Sequence, residues 1–117
     1  MDSGQPERIL ASDPVLRELV RRLVEALAPE SIYLFGSRAR GEGDEDSDYD
    51  LMVVVAESDQ PIHLRSRAVR PLVWDVEAPV DLLIWTREEF EHRLPVMASL
   101  PATITREGWL VYAARAA

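Results

Sequence analysis

The feature that most restricts the fold of this chain is an apolar run, Leu51 to Ala56, that follows directly after two aspartates. Its sequence, Leu-Met-Val-Val-Val-Ala, carries hydrophobic side chains at odd and even positions alike. Such a strand must be covered on both faces, so we predict a central strand from about Asp48 to Val55. The run is far shorter than the roughly 20 residues of a membrane-spanning helix, and no membrane segment is expected.

Helical and extended patterns alternate around this strand. Before it, we predict a helix from an Asp13 N-cap to Pro29 and a strand at Ser31 to Phe35. After it, we predict a helix from Pro61 to about Asp75, whose inward residues are Leu64, Ala68, Val69 and Leu72, and a strand at Pro79 to Trp85. A capped helix start at Thr86 follows, and then a further helix and a short strand within 96–112. We therefore expect an α/β (α+β) protein, with a small mixed sheet of three or more strands flanked by helices. The 117 residues suit one domain at 11–117, preceded by an arm at 1–10.

Composition excludes several function classes. The 21 acidic and 13 basic residues give a formal charge of -8, which disfavours direct binding to nucleic acid. Cysteine is absent, which removes disulfides and thiolate metal sites, and no signal peptide is recognised at the start, so a cytoplasmic protein is expected. All 13 basic residues are arginine, so the lysine of a Walker-type phosphate loop is missing.

Three aspartates form the strongest candidate site. Asp48 and Asp50 are two apart on a predicted strand, so their carboxylates leave the same face while Tyr49 points the other way. Two like charges about 4 Å apart repel by about 4 kcal/mol at an effective dielectric near 20, and a divalent cation would offset that repulsion. Asp81 lies near the start of another strand; if the two strands are neighbours, the three carboxylates can hold two Mg²⁺ ions, with Asp81 as base or as the ligand that activates a hydroxyl.

Gly36-Ser37 at the end of the first strand is a candidate phosphate site. Glycine lets the backbone approach a ligand closely, and Ser37 offers a hydroxyl in what is predicted to be the first turn of a short helix. Arg38 and Arg40 follow at once and could clamp a triphosphate.

These residues resemble the signature of the nucleotidyltransferase superfamily related to DNA polymerase β. The pattern is Gly36-Ser37, the ten residues 38–47, and then Asp48-Tyr49-Asp50. The chain looks most like the minimal nucleotidyltransferases (MNT), and the resemblance covers nearly all of it. It implies that Gly36, Ser37 and Arg38 bind the nucleotide and that Asp48, Asp50 and Asp81 are the metal-binding and catalytic aspartates. It also implies an antitoxin that transfers AMP from ATP to a tyrosine of a HEPN-domain toxin. Since larger transferases carry an added acceptor domain, a partner protein is expected to bring the acceptor.

Other interpretations remain open at this point. A calcium loop that starts at Asp46 lacks the required glycine, because Leu51 stands in its place. The chain could instead be a binding module that neutralises a partner without catalysis, or a transferase that acts on a small molecule. Trp74, Trp85 and Trp109 are interpreted as core or interface anchors rather than base-stacking platforms. Arg65, Arg67 and Arg70 are predicted to pair with neighbouring carboxylates.

Overall fold

The computed structural model describes residues 10–42 and 47–114. The elements in these ranges are α1 (Pro14–Leu27), β1 (Ser31–Phe35), β2 (Tyr49–Val55), α2 (Ile62–Val73), β3 (Val80–Thr86), α3 (Arg87–Arg93), α4 (Leu100–Glu107) and β4 (Trp109–Ala113). The predicted N-terminal arm and most of the predicted acidic loop lie outside the described residues. In the part of the chain that is described, no helix has the length and apolar character needed to cross a membrane.

The four strands form one mixed sheet in the order β3-β2-β1-β4. β1 is antiparallel to β2 and to β4, whereas β2 and β3 are parallel. The parallel pair requires a crossover connection, and α2 supplies it. β2 is an interior strand, as its two-sided hydrophobicity predicted, and the α/β fold class with a mixed sheet is confirmed.

Each face of the sheet carries its own apolar core. Leu51 and Val53 of β2 pack into a cluster with α1 and α2, which includes Leu16, Leu19, Leu23, Val69 and Val73. Met52 and Val54 point the other way and pack with Phe90 of α3 and Ile104 of α4. The alternation of side chains along β2 therefore assigns two helices to each face.

Local capping chemistry determines several element boundaries. The Asp13 carboxylate accepts a hydrogen bond from the Leu16 N–H (3.1 Å), so Asp13 is the N-cap of α1, as predicted. Thr86 and Glu89 form a reciprocal capping box at the start of α3: the Thr86 hydroxyl accepts from the Glu89 N–H, and the Glu89 carboxylate accepts from the Thr86 N–H (2.8 Å). Both helix starts could thus be read from the sequence.

The buried face of α2 differs from the predicted one. Val69 is buried as expected, but Leu64 and Ala68 are exposed and the Arg65 side chain takes an inward position at 7% exposure. Arg65 can be buried because its guanidinium donates two hydrogen bonds to the Glu89 carboxylate (2.6 and 3.1 Å).

The arginines of α2 therefore separate into two kinds. The expectation of pairing with carboxylates is right for Arg65. It is wrong for Arg67 and Arg70, which are exposed and make no ion pair within residues 10–42 and 47–114.

Candidate active site

Two aspartates of the candidate site lie side by side where β2 and β3 begin. Asp50 and Asp81 are register partners on these parallel neighbours. Side chains in register on adjacent strands leave the same face of the sheet, so the two carboxylates lie side by side. Asp48 is exposed and stands immediately before β2, two residues from Asp50. The two aspartate-bearing strands are therefore neighbours, as predicted.

The electrostatics of Asp50 reflect this crowding. Burial raises the pKa of the Asp50 carboxyl, and the nearby negative charges of Asp81 and Asp48 raise it further. The positive charge of Arg40 acts in the opposite direction. An ionised Asp50 is thus held at an energetic cost that a cation beside it would reduce.

The donor chemistry of this cluster fits magnesium shared with a substrate. No three His, Asp or Glu side chains converge tightly enough to enclose an ion among the residues described. Mg²⁺, however, is commonly held by only one or two carboxylates, with water and substrate phosphates at its other positions. Hard carboxylate oxygens at Asp50, Asp81 and Asp48 suit that arrangement better than a closed protein cage. Their assignment as metal ligands stays a prediction.

Gly36 joins the predicted phosphate site to the aspartates. Phe35 pairs with Asp50 across β1 and β2, and Gly36 follows with φ of +80°. A Cβ at this position would lie 2.1 Å from Oδ2 of Asp50. Glycine is required here for two reasons: the backbone has a positive φ, and a Cβ would clash with the Asp50 carboxylate. The sequence predicted that the backbone at Gly36 approaches a ligand closely. In the structure, this backbone closely approaches the Asp50 carboxylate.

A hydrogen-bonded turn at 37–41 follows Gly36 where a short helix was predicted. The Arg40 N–H donates to the Gly36 carbonyl (3.2 Å), and the Glu42 N–H donates to the Ser37 carbonyl (2.9 Å). The second bond spans five residues, so the backbone curls back instead of continuing as a helix. Ser37 stands at the first position of this turn and is partly exposed. Its predicted role toward phosphate stays a prediction.

Arg38 belongs to a network that supports this turn. Its Nε donates to the Ser47 carbonyl (2.9 Å), and its guanidinium lies 4.0 Å from the centre of the Tyr49 ring. The Tyr49 hydroxyl donates in turn to the Asp13 carboxylate (2.8 Å). Burial, followed by the bond to Asp13, raises the pKa of Tyr49 to about 12. Arg38, predicted to bind the triphosphate, thus already has structural partners.

Two supporting contacts were not found by sequence reasoning. Trp109, interpreted as an anchor, donates from Nε1 to the Ala39 carbonyl (2.8 Å) and fastens the turn to β4. Tyr49 was predicted only to point away from the aspartates, which it does, and its bond to Asp13 joins residues 36 apart in sequence. No local spacing signals either contact. The calcium-loop alternative is wrong, because the residues after Asp50 form β2.

Comparisons with known proteins concern the domain and the fold as a whole. A family model described as a nucleotidyltransferase domain matches residues 16–106. No curated protein matches the chain.

Similar folds are found among solved structures. A toxin–antitoxin crystal structure with AMP-PNP is 22% identical, with a TM-score of 0.59 over 85% of this chain and 73% of that one. A variant of the MntA–HpeT toxin–antitoxin is 22% identical, with a TM-score of 0.56 over 85% and 72%. A protein from Sulfolobus solfataricus described as a nucleotidyltransferase is 21% identical, with a TM-score of 0.53 over 86% and 88%. At these identities the likeness is one of fold.

Proposed function

This chain belongs to the nucleotidyltransferase domain family, whose model spans residues 16–106, and from that premise we propose that it transfers AMP from ATP to a tyrosine of a partner HEPN-domain toxin. The observation that carries the proposal is the side-by-side placement of Asp50 and Asp81, with Gly36 in contact with Asp50. That placement puts a candidate base and a candidate metal site next to a candidate phosphate site.

The positions of these residues support the proposed roles. Gly36, Ser37 and Arg38 take the triphosphate at the end of β1. Asp48, Asp50 and Asp81 would hold Mg²⁺, which supplies positive charge to the phosphates when it is bound. Asp81 is the most exposed strand position of the site, so an acceptor hydroxyl can reach it from solvent.

The reaction is a displacement at the α-phosphorus of ATP. The tyrosine oxygen forms a bond to the α-phosphorus, and the bond from that phosphorus to the bridging oxygen of the β-phosphate breaks. Pyrophosphate leaves on the side of the 37–41 turn. The phenolic proton passes to the Asp81 carboxylate and from there to solvent.

The choice of ATP and of a protein acceptor rests on two supports. The sequence resembles the minimal nucleotidyltransferases, and two solved structures of similar fold are toxin–antitoxin complexes, one of them with AMP-PNP. A toxin encoded beside this chain is the acceptor to test first.

The test is transfer of label from α-labelled ATP. With Mg²⁺ and the toxin, wild-type chain should label the toxin, and Asp48→Asn combined with Asp50→Asn should abolish labelling. Asp81→Asn should slow labelling by about 10²- to 10⁴-fold, the range for loss of a general base. Asp59→Asn, which changes an exposed aspartate after β2, is the control and should label normally.

Two results would contradict the proposal. The first is equal labelling by wild type and by the double variant. The second is full silencing of the toxin by Asp81→Asn without any label, which would make the chain a binding module that neutralises its partner by covering it.

A further inference from the structure

The helix α2 carries apolar side chains on two faces. Its inner face is buried against the sheet, but its outer face presents four exposed apolar residues, Leu64, Ala68, Pro71 and the C-cap residue Trp74. Their spacing of four, three and three residues places them along one side of the helix. Among the described residues, six large apolar side chains are exposed, and three of them are Ile62, Leu64 and Trp74. Such a concentration of exposed apolar surface marks an interaction site.

Two arginines accompany these apolar residues, and we call the combined surface the α2 outer face. Arg67 and Arg70 are exposed and make no ion pair with any residue in the described part of the chain. No aspartate or glutamate occurs in α2, so the helix itself offers them no carboxylate. Pro71 has no N–H to give to the Arg67 carbonyl, which adds a hydrogen-bond acceptor. The α2 outer face is therefore apolar and locally positive in a chain of formal charge -8.

The α2 outer face is separate from the candidate active site. α2 packs on the face of the sheet to which Leu51 and Leu82 contribute their side chains. Asp50 and Asp81 precede these residues on the same strands, so their carboxylates leave the opposite face. A protein bound to the α2 outer face therefore leaves both carboxylates uncovered. Because a short connection joins α2 to β3, the Trp74 end of the helix lies at the end of the sheet where β3 begins.

We propose that the α2 outer face docks a protein partner whose matching surface is apolar and flanked by carboxylates. Trp74, at 77% exposure, is the anchor, since tryptophan and arginine are enriched among the residues that dominate binding energy. Carboxylates of the partner pair with Arg67 and Arg70, where most of this acidic chain repels them. A second copy of the chain fits less well, because an isologous contact would bring the arginines of both helices together without any carboxylate of α2. That the partner is the toxin rests on the proposed function.

Affinity without turnover provides the test. The full chain is titrated with the toxin encoded beside it, without ATP, by isothermal titration calorimetry. Trp74→Ala should weaken binding by about 30-fold, the loss expected for an interface anchor. Arg67→Glu combined with Arg70→Glu should weaken binding by about tenfold or more, and added salt should weaken wild-type binding more than binding by this double variant. The matched controls are Met97→Ala, at an exposed apolar residue outside α2, and Arg93→Glu, at an exposed arginine of α3; both should bind like wild type.

The inference is overturned if the toxin does not bind, if Trp74→Ala binds it as tightly as wild type, or if Met97→Ala weakens binding as much as Trp74→Ala. Stronger binding after charge reversal would mean that the partner surface is basic, which also overturns it. So would a dimer of the chain alone that Trp74→Ala dissociates in analytical ultracentrifugation.

The labelling assay separates this inference from the proposed function. Labelling of the toxin together with an unchanged Kd in Trp74→Ala rejects the docking surface and keeps the transferase. Binding of the toxin that depends on Trp74, without any label on the toxin, rejects the transferase and keeps the docking surface.

Discussion

At Gly36 a single missing side chain satisfies two constraints. The residue has φ of +80°, where side chains with a Cβ are strained, and it lies against the Asp50 carboxylate. Gly41 shares only the first constraint: its φ is +75°, and no atom of the described residues lies within 4 Å of the position of a Cβ. A comparison of substitutions at the two glycines thus distinguishes the effect of backbone strain from the effect of contact with the site.

Gly36→Ala should therefore be more harmful than Gly41→Ala. We expect Gly41→Ala to cost about 1 kcal/mol, or about 4 °C in Tm, through the positive φ alone. Gly36→Ala should lower Tm further and abolish AMP transfer, because the new methyl group displaces the Asp50 carboxylate. Thermal unfolding by circular dichroism and the labelling assay measure the two effects. Equal Tm values, or full activity in Gly36→Ala, would contradict this account.

Among the elements, α2, β3 and α3 are joined by one buried guanidinium. Arg65 of α2 donates to the Ile84 carbonyl of β3 (3.2 Å) and to Glu89 of α3. β3 is an edge strand, and edge carbonyls are potential pairing sites for other chains. Arg65 therefore both fixes the crossover helix and occupies part of the sheet edge.

This junction predicts a pH dependence that Glu89→Gln should remove. The hydrogen bond with Arg65 lowers the pKa of Glu89 from its ordinary 4.5 to about 2. Because the folded-state pKa is depressed, the stabilisation is complete above the ordinary pKa and is lost as pH falls toward 2. Glutamine can still serve the capping box, so the variant tests the charge. In urea unfolding, wild type should be more stable than Glu89→Gln above pH 4.5, and the difference should narrow at lower pH.

Glu88→Gln is the matched control, since Glu88 is an exposed neighbour in the same first turn of α3. The free energy of unfolding of Glu88→Gln should stay close to that of wild type across the same pH range. If the free energies of unfolding of wild type and Glu89→Gln differ by the same amount at every pH, the charge of Glu89 has no role at this junction.

For the whole molecule, the mixed sheet places like charges together at one end. The crossover through α2 makes β2 and β3 parallel, so both strands begin at the same end and bring Asp50 beside Asp81. An antiparallel β3 would begin at the opposite end of the sheet. The cost of this arrangement is visible at Asp50, whose pKa is raised by burial and by its acidic neighbours.

Removing that charge should stabilise the fold while it removes function. In EDTA, Asp50→Asn should raise Tm by about 4 °C, corresponding to about 1 kcal/mol, because the amide relieves the repulsion in a similar volume. Mg²⁺ should raise the Tm of wild type and have less effect on the variant, since binding to the folded state stabilises it. Asp59→Asn should match wild type in both conditions. An Asp50→Asn variant that melts below wild type in EDTA would contradict the prediction.

Local chemistry allowed much of the fold to be predicted. The Asp13 cap, the Ser31–Phe35 strand and the Thr86 start of α3 depend on neighbouring residues, and all are observed. The inward face of α2 was wrong because Arg65 is buried by a carboxylate and a carbonyl 19 to 24 residues away. Such a burial cannot be recognised from helical periodicity alone.

The candidate site shows the same division. The spacing of Asp48 and Asp50 and the strand position of Asp81 predicted their neighbourhood. The contact of Gly36 with Asp50 and the stacking of Arg38 on Tyr49 depend instead on how β1 and β2 pair. Side-chain contacts that only the tertiary structure creates could therefore not be predicted from the sequence.

The bond from Trp109 to Ala39 makes the candidate phosphate site depend on a strand that contributes no residue to it. The bond joins residues 70 apart in sequence, and β4 supplies its indole. A change confined to β4 would loosen the 37–41 turn, while Asp50 and Asp81 lie on β2 and β3, toward the other edge of the sheet. Substitutions in an edge strand that touches neither aspartate would thus alter how firmly a nucleotide is held.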